Sequence, residues 1–243
     1  MARPIPPQAS EHDFLDGLAY RLWLPQTPPP WPGIVILHGA GSRKENHGDF
    51  GRLAADFGWA ALAYDQRGHG ESLGELSPQA VNDAIAMARM LAGREDVDSE
   101  RICLRGSSLG AFIAIHAAAV SDAVGAVIAI CPPGEQMLLR GLRGDRLELE
   151  MRADRSALEP WLEEHDIRDA VGLLGSKPLI LLHAGGDDQV PSDFSEELFE
   201  HAAEPRKLVV IPGGHHRSVQ HDSELQTVAL RWIERSFDAA GAG

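Results

Sequence analysis

Ser108 lies in a five-residue pattern, Gly-x-Ser-x-Gly, whose chemistry is that of a nucleophilic serine. An apolar run over residues 101–104 precedes it, and an alanine-rich helical stretch begins at about Leu109. A serine on such a strand-to-helix turn has a strained backbone, and its flanking residues must be very small; Gly106 and Gly110 meet that need. The backbone N–H of Leu109, at the helix N-terminus, is then directed to where an oxyanion would develop.

Two later loops carry the groups that a serine nucleophile requires. A serine hydroxyl is a poor nucleophile at neutral pH, so it needs a base, usually histidine, and an acid that orients the imidazole. The acid candidates are Asp187 and Asp188, and the base candidates are His215 and His216. Each pair follows its own apolar run, so the chain order is serine, acid, histidine. The adjacent alternatives stay open at this point.

The elements that must position these loops alternate between apolar strands and amphipathic helices. Runs such as residues 34–37, Ala60–Tyr64 and Ala126–Ile130 are typical of strands buried on both faces of a parallel sheet. We therefore expect an α/β fold with a doubly wound, mostly parallel sheet, preceded by a partly exposed strand over residues 14–24. Sites in such sheets form beyond the carboxyl ends of the strands, where every candidate loop lies. Further strands are predicted at 102–104, 179–182 and 208–211, and helices at 46–57, 77–91, from 109 onward, 192–202 and 223–237.

Residues 134–175 interrupt this alternation, and we predict a short, lid-like helical insertion there within one domain spanning residues 1–243. Helical fragments are expected at 145–151 and 157–164. The apolar residues of the insertion either line a substrate pocket or anchor it on the sheet; they are Met137, Leu138, Leu139, Leu142 and Trp161. Its arginines either attract an anionic substrate or, as we favour, pair with neighbouring acids; they are Arg140, Arg143, Arg146, Arg152 and Arg155.

Composition narrows the classes of partner. The chain has 243 residues, 44% of them hydrophobic, and a net charge of −14. These values fit one soluble domain and argue against nucleic acid or an anionic membrane surface as a partner, since both need basic patches. The first ten residues contain three prolines and no apolar core, so we expect no secretory signal and a cytoplasmic location. Two cysteines, Cys103 and Cys131, imply no disulfide framework.

Five motifs in order resemble those of the α/β-hydrolases, and within them the small bacterial serine esterases and dienelactone-hydrolase-like members. His-Gly-Ala-Gly at residues 38–41 resembles the oxyanion loop, and residues 65–72 resemble the Asp-x-Arg-Gly-x-Gly-x-Ser loop. The serine turn at residues 106–110, an Asp-x-x-Val-Pro loop and a Gly-x-x-His loop complete the set. The resemblance covers about residues 18–237.

The resemblance implies a choice at each open position. The family spacing falls on Asp187 rather than Asp188, and on His216 rather than His215. It also implies that the N–H of Ala40 joins that of Leu109 in the oxyanion hole. His38 is interpreted as a structural residue of its loop. No cofactor is implied, and the remaining histidines show no metal-ligand spacing.

The expectation that follows is a cofactor-independent serine hydrolase acting on small to medium carboxylic esters through an acyl-enzyme. An acyl thioester or a peptide substrate would use the same machinery, so the motifs do not separate these substrates. A non-catalytic binding protein on the same fold is the alternative from another class. A homodimer, through an edge strand or the last helix, is an association that the sequence leaves open.

Overall fold

The computed structural model describes residues 9–144 and 151–241. Its centre is an eight-stranded sheet in the order β1-β2-β4-β3-β5-β6-β7-β8. The first two strands are antiparallel to their neighbours, and the others run parallel. The strands are β1 Glu11–Leu15, β2 Leu18–Trp23, β3 Trp31–Leu37, β4 Ala60–Tyr64, β5 Val97–Ser107, β6 Ala126–Ile130, β7 Leu179–Ala184 and β8 Arg206–Ile211. This architecture confirms the predicted fold class.

Helices cover both faces of the sheet. Each strand from β3 onward is followed by helical structure on its way to the next, as a doubly wound topology requires. The helices are α1 Gly48–Asp56, α2 Gln79–Ala92, α3 Leu109–Ala119, α4 Glu135–Arg143, α5 Arg155–Glu164, α6 Ile167–Gly172, α7 Ser192–His201, α8 Ser218–His221 and α9 Ser223–Gly241, with a 3-10 turn at Lys44–His47 before α1.

The two sheet faces form separate apolar cores because successive strand residues point to opposite sides. On one face, Leu104 packs with residues of α2 and α3 such as Leu91 and Phe112. On the other face, Ile128 packs with residues of α1 and α9, among them Ile233. The sheet is therefore buried on both sides, which explains the near-continuous apolar strands.

The register of the parallel strands brings their carboxyl ends to one edge of the sheet. Leu37 of β3 pairs with Gly106 of β5, and Ser107 pairs with Ile130 of β6. Ile130 in turn pairs with Leu182 of β7. The loops after β3, β5, β7 and β8 consequently emerge together.

Two predicted elements differ from the structure. The single strand expected over residues 14–24 is a hairpin, because Asp16 and Gly17 have positive φ values of 49° and 78° that reverse the chain. Within residues 134–175, α4 and α6 were not predicted, and the helix predicted at 145–151 falls almost wholly on residues 145–150, which lie outside the described residues.

Candidate active site

The turn at Ser108 has the strained geometry that the sequence pattern predicts. Ser108 has φ 51° and ψ −120°, a left-handed conformation that an ordinary side chain rarely adopts. A Cβ on Gly106 would lie 2.2 Å from the carbonyl oxygen of Gly110, and one on Gly110 would lie 2.3 Å from that of Leu37. Both glycines are thus required sterically, and together they let α3 start directly behind the serine.

Asp187 and His216 are joined by a hydrogen bond. The His216 Nδ1–H donates to Asp187 Oδ2 at 2.7 Å, which leaves Nε2 as the basic nitrogen. The other oxygen, Oδ1, accepts the backbone N–H groups of Gln189 and Val190 at 2.9 and 3.0 Å. His183 Nε2 lies 3.4 Å from Oδ2.

The surroundings of Asp187 keep it ionised. Burial by itself raises the pKa of this carboxyl group, but the hydrogen bonds from His183, His216 and the two backbone N–H groups hold the pKa well below its ordinary value.

The adjacent candidates, Asp188 and His215, lie in different surroundings. Asp188 is exposed, and His215 is exposed with its ring nitrogen accepting the Arg217 N–H. The structure therefore brings together Asp187 and His216 and leaves Asp188 and His215 at the surface.

The end of β6 lies between Ser108 and this pair. The Ser108 N–H donates to the carbonyl oxygen of Ile130 at 2.8 Å, and the thiol of the next residue, Cys131, lies within 4.8 Å of ligand atoms of both Asp187 and His216. No hydrogen bond joins the Ser108 hydroxyl to His216 in the described part of the chain. Such contacts are commonly loose in the absence of substrate and tighten when it binds.

The two backbone N–H groups predicted to form the oxyanion hole, those of Ala40 and Leu109, are free to bind a substrate oxygen. Among residues 9–144 and 151–241, the N–H groups of Ala40 and Leu109 donate to no protein acceptor. Leu109 is the first residue of α3, where the helix dipole adds a partial positive charge. The loop of Ala40 passes close to Ser108: a Cβ on Gly39 would lie 3.4 Å from the Ser108 Cβ.

His38 holds the Ala40 loop in place. Its Nδ1–H donates to the carbonyl oxygen of Gly39 at 2.8 Å, and its Nε2 accepts the N–H of Gln66 at 3.0 Å. Burial, together with the nearby His69, lowers the pKa of His38 to about 4. The ring is thus neutral at physiological pH and serves as a bridge between the loops after β3 and β4.

A buried ion pair that sequence reasoning missed joins the same two loops. Lys44, whose side chain is fully buried, donates from Nζ to Asp65 Oδ2 at 2.8 Å and also to Glu71. Its backbone N–H donates to Asp65 Oδ1 at 2.7 Å. Asp65 was noted only as part of a motif, and nothing in the local pattern distinguishes Lys44 from a solvated surface lysine.

An apolar cleft opens beside the serine turn. Leu109, the residue after Ser108, contributes to its lining. Of the predicted pocket residues, Leu138, Leu142 and Trp161 line it; Met137 and Leu139 do not line it and pack in or against the core. Its other residues come from the start of α2, from α3 and from the insertion: Leu76, Ser77, Pro78, Ala80, Val81, Phe112, Ile113, Met151, Leu158 and Leu162.

Two arginines of the insertion have protein partners that the structure describes. Arg143 forms ion pairs with Glu159 and Glu163 of α5, and Arg152 donates to the carbonyl oxygen of Ser72. Arg146 lies outside the described residues. This favours the interpretation of Arg143 as paired surface charge.

Cys131, Asp187 and His216 are close enough together to be considered as metal ligands. However, two of the three are already hydrogen-bonded to each other, and burial raises the pKa of the Cys131 thiol to about 12. The thiol is therefore protonated at neutral pH, whereas a metal requires the thiolate. This set of groups suits proton transfer by His216 better than ion binding.

The fold is that of the α/β-hydrolases, and the loops that carry the candidate residues are similar to those of that superfamily. A family model described as serine aminopeptidase, S33, matches residues 29–140. An uncharacterized protein of Mycobacterium tuberculosis, Rv2307c, is 29% identical over 209 residues, which cover 82% of this chain and 68% of that protein.

Solved structures share the fold at low sequence identity. The α/β hydrolase GrgF from Penicillium superimposes with a TM-score of 0.75 and 22% identity, covering 96% of this chain and 100% of that one. Est1E from Butyrivibrio proteoclasticus superimposes with a TM-score of 0.73 and 21% identity, covering 96% of this chain and 100% of that one. Within the described ranges, no helix combines the length and apolar character needed to cross a bilayer.

Proposed function

We propose that this protein is a serine hydrolase that cleaves carboxylic esters through an acyl-enzyme. The observation that carries the proposal is the hydrogen bond between His216 Nδ1 and the buried Asp187 carboxylate, at the edge of the sheet where Ser108 occupies its strained turn. Serine hydrolases combine these three residue types in this chain order.

The proposed mechanism assigns one role to each group. Ser108 Oγ attacks the ester carbonyl while His216 Nε2 takes its proton, and Asp187 orients and stabilises the imidazolium. The N–H groups of Ala40 and Leu109 stabilise the oxyanion, each by about 3–4 kcal/mol in the transition state. His216 then returns the proton to the leaving alcohol, and water releases the acyl group by the same steps in reverse.

The apolar cleft supports a small to medium apolar group on the substrate. Its lining from Leu109, Leu138 and Trp161 provides no charged side chain. A peptidase that selects a free amino terminus needs a carboxylate or carbonyl group near the nucleophile to bind the ammonium. Among residues 9–144 and 151–241, the cleft lining provides no carboxylate, which favours an ester over the peptide suggested by the matching family model.

Location and partners remain predictions from composition. We propose a cytoplasmic protein that acts on a small-molecule ester, with neither nucleic acid nor membrane as a partner. Fractionation of cells of the source organism checks the location, and light scattering of the purified protein checks for the homodimer.

The test is hydrolysis of p-nitrophenyl esters from acetate to laurate by wild type, Ser108→Ala and Ser107→Ala. We expect Ser108→Ala to lose at least about 10⁴-fold in kcat, because the nucleophile is gone. Ser107→Ala is the matched control: this adjacent hydroxyl is buried without a hydrogen-bond partner in the described residues, so its loss should leave kcat nearly unchanged.

A fluorophosphonate label distinguishes the ways in which the proposal can fail. If esters are not cleaved but Ser108 is labelled, the site is competent and the substrate assignment is wrong; thioesters and peptides are then assayed. If neither reaction occurs, the hydrolase proposal fails and a binding role takes its place.

A further inference from the structure

Arg105 is a fully buried cation three residues before the nucleophile. It lies near the carboxyl end of β5, and its neighbours across the sheet are Ile36 and Ile128. Both neighbours belong to the apolar core under α1 and α9, and the guanidinium stacks 4.3 Å over the ring of Phe50 in α1. A charged residue thus occupies a strand position in a core that is otherwise mostly apolar.

The guanidinium donates to three neutral groups from two separate segments. Arg105 Nη2 donates to the carbonyl oxygen of Gln220 at 2.8 Å, and Nε donates to the Gln226 side-chain oxygen at 3.2 Å. Nη1 contacts His47 Nδ1 at 3.1 Å. No carboxylate forms an ion pair with Arg105 in the part of the chain that the structure describes.

This arrangement is not the one that stability alone would favour. A buried charge is expensive unless an opposite charge accompanies it, and an apolar residue of similar volume is often at least as stable. Burial lowers the pKa of Arg105 to about 9, so the group is still charged at neutral pH. What a guanidinium adds at this position is a rigid, planar set of donors pointing in several directions.

The partners of Arg105 connect directly to the proposed catalytic loops. Gln220 belongs to α8, which begins two residues after His216, and the Gln226 amide nitrogen donates to the Val219 carbonyl oxygen in the same short helix at 2.9 Å. His47 closes the 3-10 turn that follows the Ala40 loop. Arg105 itself shares a strand with Ser107.

We propose that Arg105 is a positioning residue, which ties the segments after His216 and Ala40 to the strand that carries Ser108. The inference rests on the proposed function, because it assigns those three residues to one active site. In this proposal, Arg105 bridges the segments that follow His216 and Ala40. That bridge keeps the base and the oxyanion donor at their distances from Ser108.

The test compares Arg105→Met and Arg105→Lys with wild type on the best p-nitrophenyl ester. We expect kcat to fall about 10²-fold in both variants with KM within about threefold, because small displacements of catalytic groups reduce kcat more than binding. Labelling of Ser108 by the fluorophosphonate should slow by a similar factor. Lysine keeps the positive charge but lacks the planar guanidinium with its several N–H donors. Wild-type kcat in Arg105→Lys would therefore overturn the bridging role.

Loss of packing is separated from loss of positioning by a matched control. Ile128→Ala removes a buried apolar side chain on the adjacent strand and the same face, and this side chain donates no hydrogen bond to either segment. It should lower Tm while leaving kcat within about twofold. An Arg105→Met variant that lowers Tm and keeps wild-type kcat would show a purely structural role and overturn the proposal.

A second variant decides the question if Arg105→Met does not fold. Gln226→Met removes one acceptor of Arg105 and also the hydrogen bond from the Gln226 amide to the Val219 carbonyl oxygen in α8. We expect kcat to fall about tenfold at constant KM. Unchanged kcat in Gln226→Met would contradict the proposal. Failure of the proposed function is distinguishable, because wild type itself would then neither hydrolyse esters nor label at Ser108.

Discussion

At the scale of single residues, Asp187 and Asp188 follow one another in the chain but lie in opposite environments. The Asp187 carboxylate is fully buried and accepts hydrogen bonds on both oxygens, whereas Asp188 is exposed to solvent. Only the buried group can hold the His216 ring in one tautomer. The proposed role of the acid therefore depends on its hydrogen bonds rather than on charge alone.

Replacement of Asp187 by asparagine tests this dependence. Asp187→Asn keeps the size of the side chain but removes the charge that orients and stabilises the imidazolium, and we expect kcat to fall about 10³–10⁴-fold. Asp188→Asn removes the same charge one residue away and should change kcat less than about twofold. Steady-state kinetics on one ester decide between the two residues, and equal losses in both variants would contradict the assignment.

The residues that the motif spacing selects and those that it cannot reveal differ in a physical way. Ser108 stands in a fixed motif between two glycines, and the spacing of the family that the chain resembles selects Asp187 and His216 from their neighbours. Lys44 and Arg105 are buried cations with distant partners: Asp65 lies 21 positions from Lys44, and Gln226 lies 121 positions from Arg105. Their burial depends on how distant loops pack, and no local pattern encodes it.

At the scale of elements, the loops after β3 and β4 behave as one interlocked unit. Asp65 receives the backbone N–H of Lys44 from one loop and that of Glu71 from its own. Gly70 passes directly over this carboxylate, with φ 48°. The position of the Ala40 donor thus rests on packing within the loop after β4.

Gly70→Ala should damage that unit. The added Cβ would lie 2.1 Å from Asp65 Oδ2. The left-handed backbone costs a further ~1–2 kcal/mol for a residue other than glycine. We expect the free energy of unfolding to fall by at least about 2 kcal/mol in urea titrations. Gly172→Ala is the control, because its Cβ would meet nothing within 4 Å; similar losses in both variants would refute the steric argument.

The buried parallel strands could be predicted from sequence because burial on both faces leaves continuous apolar runs. The hairpin of β1 and β2 was missed, although its two-residue turn, Asp16-Gly17, is a dipeptide that favours such a turn. The helices α4 and α6 are nine and six residues long. Helices this short depend on tertiary packing more than on a periodic signal, so the insertion was the least predictable part of the chain.

At the scale of the whole molecule, the two cores bury several histidines in the neutral state. Burial lowers the pKa of His47 well below its ordinary value, and burial lowers that of His116 to about 4. In the unfolded chain a histidine titrates near 6.5. Between these values the unfolded state binds more protons than the folded state, so the stability of the whole fold must fall as pH falls from about 6.5 toward 4.

His116 isolates this effect, because its surroundings suit an aromatic hydrocarbon. Its ring lies 4.4 Å from that of Phe112 and 5.4 Å from that of Trp161, and its buried Nε2 has no partner among the described residues. In wild type, about 2 kcal/mol of unfolding free energy should be lost through this residue between pH 7 and pH 5.

His116→Phe should therefore lose about 2 kcal/mol less than wild type over that interval when urea unfolding is followed at both pH values. Trp161→Phe alters the same aromatic cluster without removing a titratable group, so its pH dependence should match that of wild type. If His116→Phe keeps the full wild-type pH dependence, His116 is protonated in the folded protein as readily as in the unfolded chain. The neutral buried ring, and with it this account of acid sensitivity, would then be wrong.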